Sequence, residues 1–341
     1  MSQASIQRVH FDDAPAIQID AGGYRAVIAH SVGSNMVELS RPGDGLSFLR
    51  TPENGETLRQ KSQRYGLPPL FPPNRIIDGK FATPYRRYEL PLNSSDGAHF
   101  MHGILHKRPW QIHSAGILEN GAAEVVFLME MGQDGEMFSY FPHEFTYELA
   151  YTLSEKGLHQ QVRITNHSGE PMPLGVGFHT ALRVPFHEEG REEDYRLAIS
   201  VAEQWEVTPL FVSTGKLLPL SESDRALRGE GIRPTGTPYA NHFTGGPMER
   251  GGKPFYGAAL TDTRRNISLV YEVDPKYGHW TVWNDDGLSG FVCPEPQTWA
   301  NNAPNVDAPE SLTGFQLLAP GQSWHAWTRM YAERGSSGSK P

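Results

Sequence analysis

The chain contains one cysteine, Cys293, in 341 residues. A single thiol closes no internal disulfide and supplies no cysteine-based metal cluster. No apolar run approaches the roughly 18 residues that mark a membrane-spanning helix. The stretch from Met1 to Asp13 is polar and acidic, without the apolar core of a secretory signal. The expectation is a cytoplasmic chain with no membrane association. Positive charge is scarce as well, with 30 Lys+Arg against 39 Asp+Glu and a formal net charge of −9. That balance disfavours attraction to nucleic acid or anionic lipid. There is no Gly-x-Ser-x-Gly elbow and no Gly-Lys-Ser/Thr phosphate loop, and Gly175-Val-Gly177 lacks the third glycine and following helix of a dinucleotide site. Serine-nucleophile and nucleotide-driven chemistry are therefore not expected. Cys293, within an apolar Gly-Phe-Val-Cys run, reads as a buried, inert thiol.

Turn formers are abundant. Glycine (35) and proline (27) make up about 18% of the chain, against about 12% in average usage, which fits a helical bundle poorly. Hydrophobic residues at 38% suffice for a sizeable core and argue against disorder. The clearest periodicity is two: Phe145, Tyr147, Leu149, Tyr151 and Leu153 alternate with polar or small residues, a turn follows at Glu155-Lys156-Gly157, and Leu158, Val162 and Ile164 share a face opposite His159, Gln161 and Arg163. This predicts an antiparallel hairpin with one buried face. The same alternation recurs at Tyr195–Val201 and Ile267–Val273, with shorter candidates at residues 17–19, 24–29, 124–129, 258–260, 280–283 and 324–331. The predicted fold class is all-β, a large antiparallel β-sandwich. Residues 1–334 are expected to form one domain, Ser221 to Tyr239 a long surface loop, and Gly335 to Pro341 a flexible tail.

His99, His102 and His106 first suggest a metal cluster. Gly103 and Pro109 break a helix, and in a strand i and i+4 lie roughly 13 Å apart, so no metal site is expected. His99 and His106 read as satisfied structural histidines. His102, beside a glycine that permits close backbone approach, is the better ligand candidate. Three further places combine rigid backbone with polar function. Residues 67–79 hold Asn74 and Arg75 among prolines, Pro173-Leu-Gly-Val-Gly-Phe-His179 delivers one histidine from an apolar run, and Phe291 to Thr298 sets Glu295 between Pro294 and Pro296, at an expected strand end.

Taken in order, these blocks resemble the aldose 1-epimerase (galactose mutarotase) family. The shared pattern comprises the proline-rich Leu70–Gly79 block, His102-Gly103 through Trp110, Gly177-Phe178-His179, Cys-x-Glu-Pro-x-Thr at residues 293–298, and Leu-x-Pro-Gly at residues 318–321. The resemblance implies a galactose mutarotase-like supersandwich, a small sugar substrate, and cofactor-free interconversion of the α and β anomers of an aldose by a monomer or homodimer. It further implies Glu295 as general base, His179 as general acid, His102 close to the reacting centre, and Arg75 with Asn74 on sugar hydroxyls. Burial is expected to raise the pKa of Glu295, since an ordinary carboxylate is a weak base. Trp283 and Trp299 could stack on a sugar or fill the core. Two blocks depart from the family pattern. His179 is followed by Thr180-Ala181-Leu182-Arg183 rather than Pro-Tyr-Phe-Asn, and Asn241-His242-Phe243 stands where many members carry a sugar-binding Asp, making Asn241 the counterpart. Arg183 raises the alternative of a phosphorylated sugar, against a surface salt bridge to Glu188 or Glu189. A non-catalytic carbohydrate-binding protein on the same fold is the third reading.

Overall fold

The computed structural model describes residues 3–335, so the expected tail beyond Gly335 lies outside the described residues. About 48% of the chain is strand and 10% helix, which makes the fold all-β. One antiparallel sheet runs in the order Gln111–Ile117, Ala123–Met131, Phe145–Ser154, Gly157–Asn166, Ser323–Arg334, Ile267–Val273, Gly257–Asp262 and Tyr195–Ile199. A second runs Ser213–Leu218, Val201–Val207, Ala240–Gly245, His279–Trp283, Phe291–Gln297, Gly177–Phe178 and Pro69–Leu70, with Leu182–Arg183 pairing onto Phe291–Gln297. The two sheets meet through large rings, as where Tyr271 of the first stands edge-on to Trp280 of the second, centroids 6.5 Å apart. An N-terminal sheet from Ser5–Phe11 to Leu46–Ser47 adds Ile17, Ile19 and Tyr24 to the same core.

The predicted hairpin forms with the predicted faces. Phe145, Tyr147, Leu149, Tyr151 and Leu153 are all buried, and Ser154 pairs with Gly157 across a two-residue turn. Gly157 has φ +91°, and a Cβ there would lie 2.2 Å from the Met330 carbonyl oxygen, so the turn requires glycine. Each large apolar side chain on that face contributes about 1.5–3 kcal/mol by leaving water. The alternation also decides where the functional face falls. Trp280 and Val282 point into the core, so Thr281 and Trp283 point to the opposite side of the second sheet.

Two segments differ from expectation. Gln111–Ile117 is an edge strand exposed along nearly its whole length and bulged between Ile112 and Ser114. With neither face buried, its residues carry no alternation to read. Ser221 to Tyr239 is more than a surface loop. Ser221 caps a short helix, Glu222–Arg225, by accepting the Asp224 N–H, and Leu227 behind it is fully buried.

Replacing Leu149 with alanine should lower unfolding stability by about 2–5 kcal/mol. Gln161→Ala on the solvent face should change it by no more than about 0.5 kcal/mol. Urea denaturation of both variants checks this, and equal losses would contradict the assigned faces.

Candidate active site

The strand Phe291–Gln297 places the central carboxylate. It pairs on one side with His279–Trp283, setting Thr281 opposite Glu295. On the other side Leu182 pairs with Val292 and Gly177 with Gln297, and the ladder skips the residues between. Pro294 and Pro296 cannot donate to a ladder, and they lie two apart, so both missing donors fall on one edge. Glu295 is therefore not at a strand end, as expected from sequence, but within a strand whose pairing is interrupted. His179 stands in the interruption, its backbone N–H donated to the Pro68 carbonyl at 3.2 Å. The result is a contact of 3.2 Å between His179 Nε2 and Glu295 Oε1, with both side chains at most 5% exposed. Gln297, two residues along the same face, donates to Glu295 Oε2 at 3.3 Å.

Burial acts on the two groups in opposite senses. It pushes the Glu295 carboxyl well above the ordinary carboxylate range, against the weaker opposing pull of Arg75 and the Gln297 hydrogen bond. It pulls the His179 imidazole down to about 3. Both shifts disfavour charge. Each group is therefore biased toward its neutral form.

Around this contact lies a cavity of about 650 Å³ whose lining includes Asn74, Arg75, His102, Thr281 and Trp283. Asn74 has φ +54°, a left-handed conformation that asparagine tolerates. Its carbonyl accepts the His102 N–H at 2.6 Å, its amide donates to Thr281 Oγ1 at 3.0 Å, and its Oδ1 accepts Arg75 Nε at 3.1 Å. Asn74 thereby ties the proline-rich segment to the sheet and aims Arg75. The guanidinium also donates to the Leu210 carbonyl at 3.0 Å and lies 5.0 Å over the Phe211 ring.

His102 is itself left-handed, at φ +62°. A Cβ on the following Gly103 would lie 2.2 Å from the Phe71 carbonyl oxygen, the close approach expected of that glycine. The strand ends at Met101, so His102 and His106 turn back to ring centroids 6.3 Å apart rather than the spacing of an extended chain. The His102 ring meets His179 edge-on at 5.2 Å. Contrary to expectation, His99 and His106 are not fully satisfied, since His99 Nε2 and His106 Nδ1 have no hydrogen-bond partner. The fold also gathers potential metal ligands that no sequence spacing marks. His179, Cys293 and Glu295 offer atoms within 4.8 Å of one another. Burial raises both the thiol and the carboxyl, so a cation bound there would have to displace protons from both.

Three residues singled out from the sequence lie off the cavity. Asn241 lies on the opposite face of its strand, across from the core residue Val282, and accepts from Gln204 at 3.3 Å. Its neighbours Ala240 and His242 occupy the cavity side. Arg183 is exposed outside the cavity lining, and the ion pair of Glu189 is with Arg265. Trp299 is a core residue, 1% exposed, donating to the Leu174 carbonyl at 2.6 Å, whereas Trp283 lines the cavity. Sequence reasoning missed Thr281, Gln297, His242, Arg64 and Lys107. Gln297 was readable from its i+2 relation to Glu295. Thr281 depends on cross-strand register: it accepts from Asn74 and faces His242 Nδ1 at 3.1 Å. The Asn301 N–H donates to the other nitrogen of His242, so Nδ1 carries the hydrogen toward Thr281.

A family model described as aldose 1-epimerase matches residues 15–331. The chain belongs to the aldose 1-epimerase family. Among solved structures it is similar to a galactose mutarotase-like protein from Clostridium acetobutylicum, with 34% identity, a TM-score of 0.95, and coverage of 98% of this chain and 99% of that one. Galactose 1-epimerase from Lactobacillus acidophilus NCFM shares the fold, with a TM-score of 0.73 at 13% identity over 98% of this chain and 100% of that chain. The plasmid-encoded LacX protein of Lactococcus lactis is 27% identical over 200 residues, 56% of this chain. The match spans 64% of that relative's length, just short of two thirds.

The site carries a pH signature in stability. Burial lowers the pKa of His102, His106, His143, His179, His242 and His279 below the ordinary 6.5. Unfolding releases these imidazoles to take up protons, so their contribution is present above pH 6.5 and is lost as pH falls toward the folded values. Glu295 works in the opposite sense, because its raised pKa costs stability above the ordinary 4.5, but it is one group against six. The melting temperature should therefore fall between about pH 7 and pH 5, with uptake of about two or more protons on unfolding. Calorimetry across that range checks this, and a flat or rising melting temperature would contradict it.

Proposed function

We propose that this protein is an aldose mutarotase, interconverting the α and β anomers of a sugar by acid–base ring opening and closure. The observation that carries the reading is the 3.2 Å contact of Glu295 with His179 in a sugar-sized cavity. In a cyclic aldose, O1 and O5 are bonded to the same carbon, so two groups this close can each reach one of them within hydrogen-bond distance. Transfer of the Glu295 carboxyl proton to His179 gives the reactive form, in which the Glu295 carboxylate removes the O1 proton while the His179 imidazolium protonates O5, and the C1–O5 bond breaks to give the aldehyde. Rotation about C1–C2 presents the other carbonyl face. On closure, O5 attacks C1 and returns its proton to His179, while the Glu295 carboxyl protonates O1.

The burial shifts serve this cycle. A carboxylate with a raised pKa is a stronger base, and an imidazolium with a lowered pKa is a stronger acid. After ring opening both groups are neutral, which is the distribution that burial favours. The open-chain intermediate is therefore met by the pair in its resting distribution of charge. Arg75, beside Glu295 and held by Asn74, positions sugar hydroxyls. Sugar binding alone would not need a desolvated carboxyl–imidazole pair, so the pair favours catalysis over a purely binding role.

Polarimetry of freshly dissolved α-anomers tests the reading across a panel of neutral and anionic aldoses. The protein should equilibrate at least one sugar well above the buffer rate, and no acceleration with any sugar would overturn it. Glu295→Gln should remain folded while losing at least about 10²-fold in kcat, and His179→Gln should lose a similar factor. The double variant should fall well short of the product of the two losses. A folded Glu295→Gln protein with near-normal kcat would contradict the base assignment. Arg75→Lys, which keeps charge but loses the planar fork, should raise KM more than it lowers kcat; the same assay separates the two parameters.

A further inference from the structure

We infer that Phe211 is the apolar platform of the sugar site, the surface on which the C–H face of the sugar ring packs, and that it sets which epimers the site accepts. The inference rests on the mutarotase reading and names a determinant of its substrate preference. Phe211 lines the same cavity as Glu295 and His179, and its backbone is left-handed, at φ +59°. A bulky L residue is rare in that region because its Cβ crowds the following carbonyl. Among the described residues, every other non-glycine position with a positive φ holds Asp, Asn, Ser or His.

A hairpin turn imposes that conformation. Val207 pairs with Ser213, and Thr208-Pro209-Leu210-Phe211 forms a β-turn closed by the Phe211 N–H on the Thr208 carbonyl at 2.8 Å. Proline suits the second position of such a turn. The left-handed residue that completes it is where a hairpin ordinarily takes glycine or asparagine. A chain with 35 glycines places a phenylalanine there instead. Strain of this kind persists where the surroundings hold it, and it gathers at ligand sites. Two side chains hold it here. Arg75 Nη1 donates to the Leu210 carbonyl at 3.0 Å, and Asn301 Nδ2 donates to the Phe211 carbonyl at 3.2 Å. The arginine that fixes the turn is thus the one assigned to the sugar hydroxyls.

Besides histidines, Phe211 and Trp283 are the aromatic residues of the cavity wall, and they differ in what already occupies them. Arg64 lies 5.3 Å over the Trp283 ring, His179 meets that ring edge-on at 5.7 Å, and Phe291 meets it at 5.4 Å. Phe211 has the Arg75 guanidinium at 5.0 Å and, among the described residues, no aromatic partner. A sugar whose hydroxyls meet the Arg75 fork has its ring carbons beside Phe211, whose apolar surface suits C–H groups. A hydroxyl turned toward the ring would lose water without gaining a partner. The platform therefore accepts epimers that present C–H groups to it and rejects those that present a hydroxyl.

The test pairs calorimetric binding of pre-equilibrated sugars with polarimetric rates, on the unmodified protein, Phe211→Gly, Phe211→Ala and Phe211→Tyr. The panel is glucose, galactose, mannose and their 6-phosphates. Phe211→Gly removes the ring and relieves the left-handed strain, so it should melt above Phe211→Ala. It should bind the preferred sugar at least about 5-fold more weakly, and KM should change more than kcat, because the contact is made in ground and transition states alike. The preference between the best and worst epimers should narrow by a similar factor, and Phe211→Tyr should restore both affinity and preference. The proposal is overturned if a folded Phe211→Gly protein keeps its affinity and preference, if Phe211→Tyr is as impaired as Phe211→Gly, if Phe211→Ala melts above Phe211→Gly, or if the unmodified protein binds no sugar of the panel. Ring-dependent sugar binding without accelerated anomer exchange would leave the platform standing and overturn the mutarotase reading. Accelerated exchange with KM and preference unmoved by Phe211→Gly does the reverse.

Discussion

The contact between Glu295 and His179 in a desolvated pocket is the constraint around which the site is arranged. Two ionisable groups 3.2 Å apart in water would exchange protons with solvent and retain near-ordinary acidities. Behind a packed sandwich both are biased toward their neutral forms, because burial penalises both charges. The two sheets supply that burial, and the interrupted pairing of Phe291–Gln297 supplies the opening in which an imidazole can sit beside a strand. Pro294 and Pro296 leave no donor to close the gap. The same backbone irregularity that weakens the sheet locally therefore creates the chemical pair.

The remaining polar groups act through this pair or through the segment that faces it. Asn74 links the proline-rich segment, the turn of His102 and the hydroxyl of Thr281 in one hydrogen-bond network. Thr281 lies directly across from Glu295, so a single register fixes the carboxylate, the threonine and, through Asn74, the aim of Arg75. The cationic lining of the cavity is a separate layer, supplied by residues 64 and 107 from segments outside the second sheet.

How much of this was legible depended on whether a residue's role left a local trace. The hairpin of Phe145–Ser154 and Gly157–Asn166 was readable because one face is buried from end to end. Glu295 and His179 were readable because each sits in an anomalous setting, a carboxylate between two prolines and a histidine ending an apolar glycine-rich run. Asn241 was misread by one position. In a strand a shift of one residue exchanges faces, and the pairing that sets His242 opposite Thr281 turns Asn241 away. Thr281 and Lys107 left no trace, since an ordinary threonine and an exposed lysine acquire meaning only from partners placed near them by long-range folding.

The protonation state of the His179 ring in the free protein tests the account most directly. Nitrogen-15 NMR of the assigned imidazole, with His179→Gln as the assignment control, reads it across about pH 5 to 8, the range in which an unperturbed histidine titrates. The expected result is a neutral ring throughout, with Nε2 accepting from the Glu295 carboxyl and no titration near 6.5. An imidazolium persisting above that value would mean a charged ion pair, and would contradict the claim that burial biases both partners toward their neutral forms.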